Sequence, residues 1–247
     1  MLLASTSIGC SKTECSTADD YPGAVIVGSR LPMLWRFETG RNVCGPGAAR
    51  SPGFSAKTDV PERLDRVFVD TNELFPFTVM DLVLALAEYR LIEFVWTDEL
   101  LDEWERVIVR EGQRDVASAR SVAAVVRRFF AESRIDSATY RTQPWPELPD
   151  PDDRVHGAAA IAGANVLLTR NLDDFPSELL GRVRVVTADT YLSRLLRHRR
   201  RAFLDVLVGL AAEKRNPRVT PCEYAARLDR AGCTTLAASL YRALHCP

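Results

Sequence analysis

The sequence predicts an α/β fold in which helices flank a mostly parallel sheet, with a helical extension at the C-terminal end. Two observations lead to this prediction. Between Leu64 and Thr187, short apolar segments of strand length alternate with longer segments whose apolar residues recur at helical spacing. A helix between two strands implies a crossover connection, and such connections join parallel strands. After Thr187 only helical patterns follow, so the sheet is predicted to end there.

The predicted strands and helices follow in a regular order. The strands are short and cover residues 67–69, 92–96, 166–169 and 183–187. The helices cover residues 79–89, 97–109, 121–132, a segment from Asp152 through the small residues 158–162, then 189–200, 202–214, and a last helix ending near Leu244. The apolar side of the helix 121–132 is formed by Val122, Val125, Val126, Phe129 and Phe130. Thr97 and the capping box Thr220-Pro-Cys-Glu223 mark two helix starts.

The composition excludes several classes of protein. The chain has 247 residues and a formal net charge of -1, so it lacks the overall positive field that attracts nucleic acid. No apolar run approaches the roughly 20 residues that span a bilayer, so no membrane partner is expected. The six cysteines show no repeated pair spacing and no neighbouring histidines, which predicts ordinary thiols in a reduced, cytoplasmic protein.

The first part of the chain differs from the rest. Residues 1–63 are rich in Ser, Thr, Gly and Cys and lack periodicity, which predicts a poorly structured leader. Because the compact pattern begins near Leu64, a second hypothesis is that translation starts downstream of Met1. The predicted organisation is therefore a leader (1–63), a sheet-containing domain (64–189) and a helical extension (190–247).

Four separated acids stand where strands end or on helices that follow strands: Asp70, Glu103, Asp153 and Asp174. The first ends the strand in Val67-Phe-Val-Asp70-Thr-Asn72, and ligands of open α/β sheets gather outside the carboxyl ends of the strands. Carboxylates that converge repel one another, and they stay ionised at neutral pH only with a cation among them. Oxygen ligands suit Mg²⁺ or Mn²⁺, so the acids predict a divalent metal site.

Four sequence blocks resemble those of PIN-domain nucleases. They are Val67-Phe-Val-Asp70-Thr-Asn72, Leu100-Leu-Asp-Glu103-Trp-Glu-Arg106, Leu148-Pro-Asp-Pro-Asp-Asp153-Arg-Val-His156 and Leu168-Thr-Arg-Asn171-Leu-Asp-Asp174-Phe175. More narrowly, the chain resembles the VapC-like toxins of bacterial toxin-antitoxin pairs, in the subgroup with a Pro-Asp-Pro-Asp-Asp segment. The tail from Thr220 to Gly232 is similar to the helical extension of that subgroup. The resemblance covers residues 64 to about 244 and implies a PIN-like fold.

The resemblance implies roles for individual residues. It makes Asp70, Glu103, Asp153 and Asp174 both the catalytic residues and the ligands of one or two Mg²⁺ or Mn²⁺ ions. It places the polar residues Thr71, Asn72 and Asn171 in support around them. At three of the four acids the assignment stays open, because other acids stand close by in sequence. Asp102 and Glu105 are the alternatives to Glu103, and Asp150 and Asp152 are the alternatives to Asp153. Asp173 is the alternative to Asp174. His156 is expected to be a packed or hydrogen-bonded imidazole rather than a ligand.

Each acid also has a purely structural alternative. Asp is a preferred residue at a helix N-cap, so Asp70 could cap a helix, and Glu103 could lie on a solvated helix face. Asp153 could stand in the first turn of a helix, where the dipole favours negative charge. Asp174 could be a turn residue before Pro176.

Basic residues are the candidates for contacts with substrate phosphates. Arg170 stands beside the predicted site and Arg154 at the start of a helix. The run Arg197-His-Arg-Arg-Arg201 is the densest positive patch, and it suits either an RNA backbone or a solvated helix end.

The sequence and the resemblance together predict a metal-dependent endoribonuclease that acts on RNA. The resemblance further implies the toxin of a toxin-antitoxin pair, with a cognate antitoxin as partner and a homodimer as the assembly. Two alternatives stay open. A haloacid-dehalogenase-like phosphatase also carries an acid after its first strand, but its pattern has a second Asp where this chain has Asn72. The other is a non-catalytic PIN-like scaffold that binds RNA or a protein, because one sequence does not show that the acids converge.

Overall fold

Four parallel strands form the sheet at the centre of the molecule. The computed structural model describes residues 63–142 and 144–246. The strands are β1 (Arg66–Val69), β2 (Glu93–Val95), β3 (Val166–Leu168) and β4 (Arg184–Val186). They lie in the order β2-β1-β3-β4, and each neighbouring pair is parallel. The predicted α/β fold with a parallel sheet is confirmed.

The helices connect the strands and continue beyond the sheet. In the described ranges they are α1 (Thr71–Leu74), α2 (Phe77–Glu88), α3 (Asp98–Arg110), α4 (Val116–Phe129), α5 (Ser137–Arg141), α6 (Pro151–Gly163), α7 (Ala188–His198), α8 (Arg200–Glu213), α9 (Pro221–Arg230) and α10 (Thr234–Leu244). Two short 3-10 helices cover Ala131–Ser133 and Leu172–Asp174. The sequence did not predict α1, α5 or the 3-10 helices, because segments this short show no periodicity.

Helix α4 differs from its prediction. It begins at Val116, five residues before the predicted start, because the Asp115 carboxylate accepts from the Ser118 N–H and caps it. Of the five residues predicted for its apolar side, only Val126 is buried, and the other four are partly exposed. Ala119 and Ala123 are the other buried residues of this helix. Val122 and Phe130 nevertheless pack against the core, so the predicted apolar side is correct in part. The alanines were missed because small residues carry little weight in a pattern of large apolar ones.

The strand order creates a switch point between β1 and β3. From β1 the chain crosses to β2 on one side, and it later returns to β3 on the other side of β1. Crevices of open parallel sheets form at such a point, outside the carboxyl ends of the strands. Asp70 follows β1, and its N–H donates to the carbonyl of Leu168 at the end of β3 (2.8 Å). The two strand ends that border the crevice are therefore held side by side.

The helical extension packs against the sheet-containing part of the chain, a point the sequence left open. A single hydrophobic core includes the sheet residue Phe68 together with Phe203 and Leu240 of the extension. The Tyr224 hydroxyl donates to the carbonyl of Thr78 (2.9 Å). The predicted capping box of α9 is present, with the Thr220 hydroxyl accepting from the Glu223 N–H and the Glu223 carboxylate accepting from the Thr220 N–H.

The expectation of ordinary thiols is wrong for two cysteines. Cys222 and Cys246 form a disulfide, with their Cα atoms 5.7 Å apart and a separation of 24 positions in sequence. Antiparallel packing of α9 and α10 brings them together, and no sequence spacing reports such packing. Cys233 is a buried free thiol. The other three cysteines (Cys10, Cys15 and Cys44) lie outside the described residues.

Two further predictions concern the ends of the chain and membranes. The predicted leader 1–63 lies outside the described residues except for Arg63. In residues 63–142 and 144–246, no helix combines the length and the apolar character that crossing a bilayer requires.

Candidate active site

An acidic cleft of about 310 Å³ opens where the carboxyl ends of β1 and β3 meet. Its lining comprises Glu103, Pro149, Asp150, Asp152, Asp153, Asn171 and Asp174. Three of the four predicted acids therefore line one cleft, although α3, α6 and a 3-10 helix carry them. The fourth, Asp70, is 5% exposed and is not part of the lining.

The Asp70 carboxylate is held by two hydrogen bonds. Its Oδ1 accepts from the Thr71 N–H (2.7 Å), so Asp70 caps α1 as the structural alternative expected. Its Oδ2 accepts from the Thr169 hydroxyl (2.8 Å). A carboxylate offers about four lone-pair directions, so each oxygen keeps capacity for another contact. Capping therefore fixes the orientation of this acid without excluding a second role.

Thr169 supports the site, and sequence reasoning did not single it out. Its hydroxyl donates to Asp70 and accepts from the Asn72 side-chain amide (3.2 Å) and from the Asn171 N–H (3.1 Å). Asn72 in turn accepts from the Arg170 N–H (3.1 Å). Both predicted supporting residues thus contact Thr169, Asn72 through its side-chain amide and Asn171 through its backbone N–H, and their supporting roles stay predictions. The sequence signal that could have identified Thr169 is its position. It directly follows β3, just as Asp70 directly follows the neighbouring strand β1.

His156 lies between Asp70 and Glu103. It is 2% exposed, and its Nε2 lies 3.1 Å from Glu103 Oε2. Its Nδ1 lies 3.3 Å from Asp70 Oδ1 without the alignment of a hydrogen bond. Burial alone would lower the pKa of His156, but the two carboxylates outweigh burial and raise this pKa to about 10. The imidazole is therefore a cation at neutral pH and neutralises part of the charge of the acids.

The acids that competed with Glu103 face elsewhere. The Asp102 carboxylate pairs with Arg127 (2.5 Å) and the Glu105 carboxylate pairs with Arg120 (3.2 Å), and both arginines belong to α4. Neighbouring positions on a helix point about 100° apart, so of these three acids only Glu103 reaches the acidic cleft.

The acids around Asp153 do not separate in this way, because Asp150 and Asp152 line the acidic cleft together with Asp153. Asp150 is the N-cap of α6, with its carboxylate accepting from the Asp152 N–H (2.8 Å). Asp153 itself lies in the first turn of α6, where the helix dipole favours an acid.

Acids from separate elements act on the pKa of Asp153, which indicates that they lie near one another. Burial raises this pKa first, the charges of Asp70, Asp150 and Asp174 raise it further, and His156 lowers it, with a result of about 6. Carboxylates from β1, from α6 and from the 3-10 helix after β3 therefore share one electrostatic environment. Their roles as catalytic residues stay a prediction.

Arg170 contacts a buried acid and the helical extension. Its Nε donates to Glu73 Oε2 (3.1 Å), and an Nη donates to the carbonyl of Ala231 after α9 (2.6 Å). Glu73 is 2% exposed, and its other oxygen accepts from the Ala188 N–H (2.8 Å). Arg170 thus ties the loop after β3 to the helical extension, and its predicted phosphate contact stays a prediction. Sequence reasoning missed Glu73, three residues after Asp70.

Arg154 holds the proline-rich segment before α6. Its Nε donates to the carbonyl of Leu148, and an Nη lies 3.4 Å from the carbonyl of Pro149. A guanidinium has five N–H groups, so others stay available on its exposed side. The predicted phosphate contact of Arg154 stays a prediction.

The donor set fits a hard divalent cation in its chemistry. Within residues 63–142 and 144–246, no three acid, histidine or cysteine side chains are already close enough together to enclose an ion. The acidic cleft nevertheless offers carboxylates and an amide, the oxygen donors that Mg²⁺ and Mn²⁺ prefer. Burial raises the pKa of Asp153 first, and the charges of Asp70, Asp150 and Asp174 raise it further, and such an ion would neutralise those charges.

Comparison with protein families agrees with this geometry. The family model of the PIN domain matches residues 66–173, from β1 to the loop after β3. The matched range includes Asp70, Glu103 and Asp153, and Asp174 follows its last residue. The chain belongs to the PIN-domain proteins, a family of nucleases.

A second family model identifies the particular branch of that family. It describes the VapC50 C-terminal domain and matches residues 188–242, from the start of α7 into α10. The chain is therefore a VapC-like PIN-domain protein. Comparison with curated proteins and with solved structures gives no match.

Proposed function

We propose that this protein is a metal-dependent endoribonuclease that hydrolyses RNA phosphodiester bonds in the acidic cleft. The observation that carries the proposal is the lining of this cleft, where Glu103, Asp153 and Asp174 from three separate elements come together. The charge of the buried Asp70 also acts on Asp153. The buried acids Asp81 and Glu73 each pair with a cation of their own, Lys214 and Arg170. In the described part of the cleft, Asp70 and Glu103 instead share the single imidazole of His156. Such an excess of carboxylates suits Mg²⁺ or Mn²⁺.

The roles of the residues follow from their contacts. Asp70, Glu103, Asp153 and Asp174 would hold one or two ions, and a bound divalent ion supplies charge neutralisation at a phosphodiester together with an activated water. Thr169 and the Thr71 N–H keep the Asp70 carboxylate in one orientation. His156 would hold Glu103 in place through the ion pair between its Nε2 and Glu103 Oε2.

The proposed biological role rests on the VapC-like match. VapC-like proteins are toxins of toxin-antitoxin pairs, so we propose a cognate antitoxin as the partner and RNA as the substrate. The homodimer, the cytoplasmic location and the division of the chain at residues 189 and 190 stay predictions.

The first test compares RNA cleavage by the wild type, Asp70→Asn and Glu103→Gln, each with Mn²⁺, with Mg²⁺ and with EDTA. We expect cleavage by the wild type with either metal, none in EDTA, and a loss of at least about a thousandfold in both variants, because removal of an electrostatic catalytic group costs on that order. Glu105→Gln is the matched control, since this glutamate lies two residues away on α3 but pairs with Arg120. It should cleave at the wild-type rate.

Two results would contradict the proposal in different ways. If Asp70→Asn cleaved RNA as fast as the wild type, the acidic cleft would not be the active site. If the folded, metal-loaded wild type cleaved no RNA, the scaffold alternative would be favoured.

A further inference from the structure

A second depression adjoins the acidic cleft. It has a volume of about 510 Å³ and is lined by Trp145, Pro146, Glu147, Leu148, Pro149 and Arg154. Pro149 also lines the acidic cleft, so the two spaces share a wall. We call this space the Trp145 depression. Its volume lies within the roughly 300–1,000 Å³ of small-molecule sites.

Trp145 presents an exposed ring in a fixed orientation. Its side chain donates from Nε1 to the carbonyl of Tyr140 (3.1 Å), and yet the residue is 39% exposed. Tyr140 is itself buried and fixed, since its hydroxyl donates to Glu99 Oε2 (2.6 Å). The other tryptophans of the described chain, Trp96 and Trp104, are buried in the core. Trp145 therefore has its polar atom satisfied while its aromatic surface is available.

The segment that carries Trp145 is preorganised. Leu148 is buried, and Arg154 donates to the carbonyls of Leu148 and Pro149 from the first turns of α6. Helix α6 approaches so closely that a Cβ at Gly157 would lie 2.9 Å from the ring of Pro146. Prolines restrict the backbone further. Little conformational entropy is therefore lost when a ligand contacts this segment.

We propose that the Trp145 depression is a base-stacking subsite, in which the indole ring stacks on an unpaired base of an RNA strand whose neighbouring phosphodiester occupies the acidic cleft. This inference rests on the proposed function. Every nucleobase has a flat π face, and stacking on an aromatic side chain is a general means of binding single strands. The remaining N–H groups of Arg154 lie at the same wall, where the phosphate of that nucleotide would pass.

The subsite selects for single-stranded RNA. In a duplex each base is paired and stacked between its neighbours, so its face is not available to a protein ring. The substrate is thus an unpaired segment or loop with one base splayed onto Trp145. A purine offers the larger face and should bind more tightly than a pyrimidine.

The test measures RNA binding in an Asp70→Asn background with Mn²⁺, so that binding is read without cleavage. The probes are labelled oligoadenylate and oligouridylate of about 12 nucleotides, within the site sizes of single-strand-binding proteins, and the duplex that they form. Trp145→Ala should weaken binding of the single strands by about tenfold, and Trp145→Phe by less than about threefold because the ring is kept. None of these changes should affect the duplex.

Tyr89→Ala provides the matched control. Tyr89 is a 48% exposed aromatic residue between α2 and β2, at the amino ends of the strands and away from the cleft. Its removal should leave RNA binding unchanged. Tryptophan fluorescence gives an independent signal, since stacking quenches the Trp145 emission and the quenching should be absent in Trp145→Phe.

Each contrary outcome has a definite meaning. If Trp145→Ala bound single strands as tightly as its parent, or if Tyr89→Ala lost as much affinity, the subsite would be overturned, and RNA cleavage by the wild type would still support the nuclease. If Trp145→Ala weakened binding of an antitoxin peptide but not of RNA, the subsite would also be overturned. If the wild type neither bound nor cleaved RNA, the proposed function and the subsite would fail together.

Discussion

Asp81 and Asp153 reach the same pKa in opposite surroundings. Both carboxyls have a pKa of about 6, and burial is the largest cause in each case. At Asp81 the neighbouring charges then lower the pKa, led by Lys214 and followed by Arg114 and Arg227. At Asp153 the neighbouring carboxylates of Asp70, Asp150 and Asp174 raise it, and only His156 opposes them.

The difference separates an acid that is paired within the packing from an acid of the proposed metal site. Asp81 lies on α2, and its Oδ2 is 2.6 Å from the Lys214 Nζ at the end of α8, with both side chains largely buried. Glu73 and Arg170 form a similar pair where the extension packs. In this packing surface each buried acid is matched by its own cation. Among the described residues of the acidic cleft the acids outnumber the cations, which is expected to lower stability and which suits the proposed binding of a cation.

Lys214→Met should have the largest effect on stability. It leaves the Asp81 carboxylate buried without its main cation, and breaking a buried pair in this way costs about 3–5 kcal/mol of unfolding free energy. Urea denaturation at neutral pH measures the change. The matched control is Arg110→Met, whose pair with Glu111 is exposed and should be worth under about 1 kcal/mol.

A double variant sharpens this prediction. Replacing both partners, Asp81→Leu with Lys214→Met, should recover most of the lost stability, because no charge is then left buried. If the double variant were as unstable as Lys214→Met, lost packing rather than an unpaired charge would explain the effect.

Asp153→Asn should raise the unfolding free energy, whereas Lys214→Met lowers it. The amide removes one of the repelling charges, so the metal-free protein should gain up to about 1 kcal/mol at neutral pH, a small value because solvent screens this half-buried group. The measurement is the same denaturation in EDTA. Asp152→Asn, at the exposed neighbouring position, should change stability less. A loss of stability in Asp153→Asn would refute the view that the cleft stores repulsion.

The smallest effect is the pH dependence of that gain. The folded-state pKa of Asp153 is raised from 3.8 to about 6, so the native state binds more protons than the unfolded state between these values. The contribution of Asp153 to stability is therefore fully present below about pH 4 and is lost as the pH rises through about 6. The difference between Asp153→Asn and the wild type should vanish near pH 4 and reach its maximum above pH 6. An equal difference at both ends would exclude titration of Asp153 as its cause.

Much of the fold followed from local sequence signals. The strands and the long helices were predicted to within a few residues, because alternation and helical spacing are properties of neighbouring residues. The acids of the candidate site were selected by their positions after strands and by the family resemblance. Among Asp102, Glu103 and Glu105, however, the choice depended on which helix face meets α4, and no local pattern contains that information.

By itself, the sequence determined the α/β alternation, the carboxylates near the strand ends and the helical extension, since each is encoded within a few turns of chain. Only the tertiary structure decided which groups become partners. Arg170 follows β3, yet its guanidinium binds Glu73 and the carbonyl of Ala231, which are 97 and 61 residues away in sequence. The Cys222–Cys246 disulfide and the position of His156 between two acids arose in the same way. Hydrogen bonds and charge interactions depend on distances in space, and these are set by how the helices pack on the sheet.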